Sequence, residues 1–184
     1  MNETIKQQFF AAYNELLAQV KAGNVEEREL FKLAGEFNKA TGGKLSQYNS
    51  PLAVGVAVVP VFKDGNFGFV GFKRGIMPFI GGTAFPGGFV NENESSKEAA
   101  IRELFEEIGL NLPVENYWMH TGEKKTPNNQ LLIFYRYSTT LDWEDVEKAY
   151  ENLADKSESE GLVFLQQNSE MCFSLHKEVL QEQF

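Results

Sequence analysis

Glu103, Glu106 and Glu107 stand three and four residues apart in the segment Arg102-Glu103-Leu104-Phe105-Glu106-Glu107. If that segment is helical, spacings of three and four return to one face, and the three carboxylates fall within roughly a 100° sector. Ala100, Ile101, Leu104, Phe105 and Ile108 collect on the opposite sector, as an amphipathic helix requires. Three like charges near a helix end repel one another and meet the negative end of the dipole, which costs tenths to about 1 kcal/mol per charge. A divalent cation that seeks oxygen ligands, Mg2+ or Mn2+, reverses that cost, and Mg2+ leaves coordination positions open to phosphate oxygens. The alternative reading is a solvated acidic face.

The elements around this segment must fix its register. Ser95 followed by Glu98 is a capping-box pattern, so a helix is predicted from Ser96, and Gly109 supplies the left-handed stop. Gly87 and Gly88 precede it, and their bare backbone could bring a carbonyl, Gly88 in particular, to the carboxylate face. Arg102 stands four residues before Glu106 and could hold a glutamate in place; the alternative is an ordinary ion pair on the helix surface.

Before the glycines, LAVGVAVVPVF reads as a buried strand and FGFVGFK as its hairpin partner across a turn at Asp64 and Gly65. RGIMPFIGG is a loop leading to a short strand near Thr83 to Phe85. After the helix, NYWMHTG and QLLIFYRYSTT flank a polar loop, EKKTPNN. A helix follows around Trp143, Val146, Tyr150 and Leu153, then the short strand LVFLQ and a terminal helix from about Ser169 to Gln181. At the N-terminus, apolar residues at helical spacing predict a helix from Thr4 to Ala22 and a second from Asn24, capped with help from Glu27, to Thr41. This hairpin either packs on the main domain, pairs two subunits, or serves as a lid. The polar stretch Leu45 to Pro51 marks a boundary, giving a helical extension over 1–48 and a domain over 49–184. The mixed order of strands and helices predicts an α/β fold, with helices packed on a mixed sheet.

At 184 residues, 42% of them hydrophobic, the chain suits one domain with a sizeable core and an appendage. A net charge of -9 argues against nucleic acid or an anionic membrane as partner. It also means that phosphates need local help, from a metal or from the four arginines Arg28, Arg74, Arg102 and Arg136. A single cysteine, Cys172, and the absence of a signal-like start point to the cytoplasm.

The pattern from Gly88 through Glu94 to Arg102, Glu103, Glu106, Glu107, Gly109 and Leu110 resembles a complete Nudix box. The resemblance implies a Nudix-type α/β/α sandwich with a mixed sheet, and hydrolysis of a nucleoside diphosphate linked to another group. Glu103, Glu106 and Glu107 match the family's metal-binding glutamates, Arg102 its orienting arginine, Gly88 its carbonyl ligand, and Glu94 the glutamate that supports the loop. The family's general base is a box glutamate or an acid from a later loop, and here Glu158 and Glu160 are the candidates; a solvated acidic loop is the alternative.

KRGIMPFIGGTAFPGGFV and FSLHKEVL resemble segments of Nudix proteins acting on ADP-ribose or NADH-like compounds. A nucleoside triphosphate housecleaning enzyme and a non-catalytic sensor of ADP-ribose-like ligands are the alternatives. Lys73, Arg74 and Arg136 could meet a phosphate or ribose, or remain surface charges. Phe72, Phe79, Phe85 and Tyr135 are candidates to stack on adenine, although with 16 phenylalanines most must be core. Pro127 lies roughly where ADP-ribose-type members carry a proline. His120 and His176 lack partners at metal-ligand spacing and read as structural.

Overall fold

The apolar run read as one strand is divided between two sheets. In the computed structural model, which describes residues 3–26, 29–30, 32–33, 53–115, 117–126 and 129–184, it forms β1 (Ala53–Val58) and β2 (Pro60–Lys63). The chain changes sheets at Val59, and Pro60, which has no N–H to donate, opens β2 opposite Phe69. β1 joins β5 (Gly87–Phe89) antiparallel and β7 (Leu131–Tyr137) parallel, with β6 (Trp118–Lys125) on the far edge of β7. β2 pairs antiparallel with β3 (Asn66–Arg74) and parallel with β8 (Leu141–Asp142). β3 also carries β4 (Thr83–Ala84) and β9 (Ser159–Leu165).

The β2–β3 turn is the expected two-residue hairpin. Lys63 pairs with Asn66, and Asp64 and Gly65 both take positive φ, 49° and 76°, as a primed turn demands.

Helix α1 spans Glu3–Lys21, and α2 spans Ser96–Ile108. α3 (Trp143–Glu151) and α4 (Ser174–Glu182) complete the labelled helices. One apolar cluster joins Ala100, Leu104 and Ile108 of α2 and Trp143 and Val146 of α3 to Ala57, Phe72 and Tyr137. A second joins Val179 and Leu180 of α4 to Val56, Val58, Leu132 and Phe134. The sheets therefore lie between α2 and α3 on one side and α4 on the other, an α/β/α sandwich with mixed sheets.

The terminal helix begins at Ser174 rather than Ser169. Cys172 N–H is taken by the Thr83 carbonyl at 2.8 Å, which holds the preceding segment to β4 instead of in a helical turn. In the predicted second helix, Glu29, Leu30, Lys32 and Leu33 are helical, while the span from 34 to 52, with the expected domain boundary, lies outside the described residues, as do Glu27, Arg28 and Pro127. The chain divides into two compact units, Met1–Pro51 with Pro127–Asn129, and Leu52–Thr126 with Gln130–Phe184. Among the described residues no helix is long and apolar enough to cross a membrane.

Candidate functional site

The site is assembled where α2 lies across the backbone of β1 and β5. Ser95 caps α2: its Oγ accepts from Glu98 N–H at 3.2 Å, and Ser95 N–H donates to Glu98 Oε2 at 2.8 Å. Gly109 ends the helix at φ 83°, its N–H donating to the Phe105 carbonyl at 2.8 Å. Gly55 on β1 lets the helix settle on the sheet, because a Cβ there would overlap the Ser96 carbonyl and stand 2.7 Å from Ala100 N. Ser96 Oγ and the Tyr135 hydroxyl, 2.7 Å apart, fasten the first turn to β7.

With the register fixed, Glu103 and Glu107 turn inward toward β5. Glu107 is only 3% exposed, and its Oε2 accepts from Gly87 N–H at 3.0 Å. A Cβ on Gly88 would overlap the Glu103 carboxylate, so that carboxylate occupies the space a side chain would fill. Loss of hydration pushes the Glu103 carboxyl up, against the pull of Arg102. It pushes Glu107 well above the usual carboxylate range; the Gly87 hydrogen bond and the charge of Arg74 counter this, while Glu103 and Glu158 add to it. Glu106 is about half exposed.

Arg102 is the hub of the outer half. Its Nε donates to Glu94 at 2.8 Å, its Nη1 to Glu103 at 2.6 Å and to Glu106 at 2.8 Å, and its Nη2 to the Phe89 carbonyl at 2.9 Å. These carboxylates raise its pKa further, Glu94 most, and Glu94 itself is lowered chiefly by Arg102. Glu94 Oε2 also accepts from Asn91 N–H at 3.0 Å, which ties the loop before α2 to the same hub.

Sequence periodicity misjudged two side chains of α2. Phe105, expected inside, is 51% exposed, and Glu107, expected on the polar face, is buried. The cause is angular: Glu107 lies only about 60° around the helix from Leu104, at the margin of the apolar face, whereas Phe105 lies at its opposite margin.

The other expected residues are spread more widely. Phe85 is 1% exposed within the second cluster, 5.8 Å from the His176 ring, and has no free face for a base; this corrects the expectation of a stacking role. Phe72 is fully buried, and Phe79 packs edge-on to Phe173 at 5.2 Å. Arg136 shares its strand face with Leu132 and Phe134, on the opposite side of the sheet from α2. It donates to Gln183 at 3.1 Å and covers Phe69, which corrects its expected role at the phosphate site. Arg74 donates to the carbonyls of Pro78 at 2.8 Å and Met77 at 3.3 Å, so it braces the loop after β3 while its charge still reaches Glu107. Lys73 is exposed on β3. Glu158 lines a cleft with Phe105, Glu106, Ala149, Asn152 and Leu153, whereas Glu160 leans toward Gly81. His176 is buried; desolvation first, then Arg74, holds its pKa down at about 3, and its Nδ1 accepts from Phe85 N–H at 3.2 Å. Its role is structural.

Among the described residues, no three acidic, histidine or cysteine side chains converge closely enough to hold a metal ion. Arg102 draws Glu106 and one oxygen of Glu103 toward itself. The donor set nevertheless fits a hard divalent cation. It is made of oxygen only, two of its carboxylates are withdrawn from water, and the glycine floor leaves them room.

A family model described as the NUDIX domain matches residues 51–170. Over 77 residues the chain is 38% identical to Nudix hydrolase 3 of Caenorhabditis elegans, a match covering 41% of this chain and 31% of that protein. The chain thus spans about a third of the curated relative's length. Among solved structures, the NUDIX domain of Shewanella oneidensis NrtR in complex with ADP ribose superposes with a TM-score of 0.55 at 17% identity, covering 80% of this chain and 96% of that one. A C. elegans Ap4A hydrolase binary complex superposes with a TM-score of 0.51 at 15% identity, covering 71% and 93%. At these identities the likeness is one of fold.

Proposed function

The chain belongs to the Nudix family, and from that premise we propose that it is a cytoplasmic pyrophosphohydrolase acting on a nucleoside diphosphate derivative, ADP-ribose or a related compound. The observation that carries the reading is the pair Glu103 and Glu107, folded against the bare backbone of Gly87 and Gly88. Burying carboxylates without a paired cation is costly, and among the described residues the hydrogen-bond partner of Glu107 is a backbone N–H. Glu103 has Arg102 beside it at 2.6 Å, so it is Glu107 above all whose burial is maintained for a charge that arrives with the ligand.

Glu103, Glu106, Glu107 and the Gly88 carbonyl would hold Mg2+ or Mn2+. When bound, the cation offsets phosphate charge and acidifies a water. Arg102 keeps Glu103 and Glu106 oriented through a hub anchored on Glu94 and Phe89. Hydrolysis forms one P–O bond from water and breaks the bridging P–O bond, whose electron pair leaves with the departing phosphate. Glu158, which faces the cleft beside Glu106, takes the proton of the attacking water.

The test is a screen of ADP-ribose, NADH, dinucleoside polyphosphates and nucleoside triphosphates with Mg2+ or Mn2+, reading released phosphate esters. Turnover of ADP-ribose that stops on chelation supports the reading. Preference for a nucleoside triphosphate would move it to the housecleaning class. Calorimetric binding of ADP-ribose without turnover of any compound would replace the enzyme with a sensor. Sedimentation of the same sample tests whether two copies pair.

A further inference from the structure

The segment that carries Glu158 reads in sequence as a solvated acidic loop, DKSESEG, yet it is fastened from several directions. β9 pairs with β3 through Leu165 to Gly161, after which Arg74 lies opposite Ser159 and Glu160 is the extra residue of a bulge. A bulge reverses the alternation of a strand beyond it. Ser159 therefore turns to the face that carries Phe72 and Leu162, the face covered by α3, and is only 3% exposed. There the Tyr150 hydroxyl of α3 donates to the Ser159 carbonyl at 2.9 Å, and Ser159 Oγ lies 3.3 Å from the same hydroxyl.

On the other side, Gly75 N–H donates to the Glu158 carbonyl at 2.8 Å. This contact requires glycine, since a Cβ at 75 would stand 2.6 Å from the Ser157 carbonyl. Arg74, bonded to the carbonyls of Met77 and Pro78, holds the loop that presents Gly75. Within the segment, Asp155 accepts from Ser157 N–H at 2.9 Å and Lys156 from Ser159 N–H at 3.2 Å. The carbonyls of Glu158 and Ser159, the two that follow the Glu158 side chain, are thus bonded to separate elements, and the turn before it is closed within the segment.

We propose that Tyr150 and Gly75 are positioning residues that hold Glu158 over the cleft it shares with Glu106. The inference rests on the hydrolase reading above. It adds that the base is made effective by α3 and the loop after β3, neither of which lies in the Nudix box. A displacement of about 1 Å in a reacting group costs on the order of 100-fold in rate, so losing either anchor should lower kcat while leaving KM in place.

The experiment is steady-state hydrolysis of ADP-ribose with Mg2+ by Tyr150→Phe, Gly75→Ala and Glu158→Gln, singly and combined, together with amide hydrogen exchange of the peptide covering 152–161. Tyr150→Phe keeps the ring and the Lys156 ammonium over it at 4.6 Å, so packing is conserved. Expected are falls in kcat of about 10- to 100-fold for each anchor variant, unchanged KM, and faster exchange confined to the 152–161 peptide. In the Glu158→Gln background, Tyr150→Phe should cost nothing further. A Tyr150→Phe loss of equal size in both backgrounds would overturn the inference, as would wild-type kcat or wild-type exchange in both anchor variants. Full activity of Glu158→Gln would remove Glu158 as the base and the inference with it, leaving the hydrolase reading intact. Wild-type protein inactive on the whole screen would instead end the hydrolase reading, with hydrogen exchange still deciding whether the anchors order the segment.

Discussion

Replacing Glu107 by glutamine should make the metal-free protein more stable while removing its activity. The glutamine keeps the shape of the side chain, and its amide oxygen can still accept from Gly87 N–H, the bond now made at 3.0 Å. What disappears is a carboxylate charge at a position 3% exposed, beside Glu103 and within reach of the field of Glu158. Desolvating an uncompensated polar group costs about 1–3 kcal/mol, and for a chain of this size each kcal/mol moves Tm by about 2–4 °C. Glu107→Gln should therefore melt roughly 2–12 °C higher than wild type at pH 7.5 in EDTA. The pH dependence has a defined sign. Burial raises the folded carboxyl above its ordinary value of 4.5, so the unfolded chain ionises first as pH rises. Wild-type stability then declines upward from about pH 4.5, and the gap between variant and wild type opens over the same range and closes below it. Excess Mg2+ should narrow or reverse the gap, because only wild type gains the full binding energy. Calorimetric melting across pH with and without Mg2+ is the assay. A variant less stable than wild type in EDTA, or a gap indifferent to both pH and Mg2+, would refute the argument that Glu107 is held charged for a cation.

Gly88→Ala should displace the Glu103 carboxylate from its seat on β5, reducing turnover and Mg2+ affinity by about 10- to 100-fold; titrating metal-dependent activity checks it, and wild-type metal dependence would count against the seat. Arg102→Lys keeps the charge but loses the fork that joins Glu94, Glu103, Glu106 and Phe89; kcat should fall at least 10-fold, with thermal unfolding lowered by about 1–3 kcal/mol. Phe85→Ala should cost about 3–5 kcal/mol in stability and leave the KM of the folded fraction unchanged; a raised KM with little loss of stability would restore a ligand-stacking role.

What was legible in the sequence was what local rules decide. Ser95 and Glu98 announced the start of α2, Gly109 its end, and Asp64-Gly65 a hairpin, because each motif satisfies its own backbone groups without distant help. The glutamate spacing put Glu103, Glu106 and Glu107 on neighbouring positions for the same reason. Depth was not legible. Whether Phe105 or Glu107 faced the core depended on how α2 rolled over Gly55, a glycine 50 residues before Phe105 in the chain. Phe85 and Arg136 went astray similarly: a phenylalanine near a glycine turn and an arginine on a strand look available to a ligand until α4 is packed over them. The bulge at Glu160 has no sequence mark apart from Gly161, at φ 155°, and it separates the surroundings of Glu158 from those of Glu160.

The glycines at 55, 87 and 88 have an evolutionary consequence. Where helix, strand and neighbouring strand meet, the floor beneath the carboxylates is main chain, and a Cβ at any of the three positions would strike a neighbour. Substitution can remodel side chains, but it has none to work with there. Variation among descendants of this chain is therefore left to the rim, while the floor is inherited unaltered or lost along with the seat of the carboxylates.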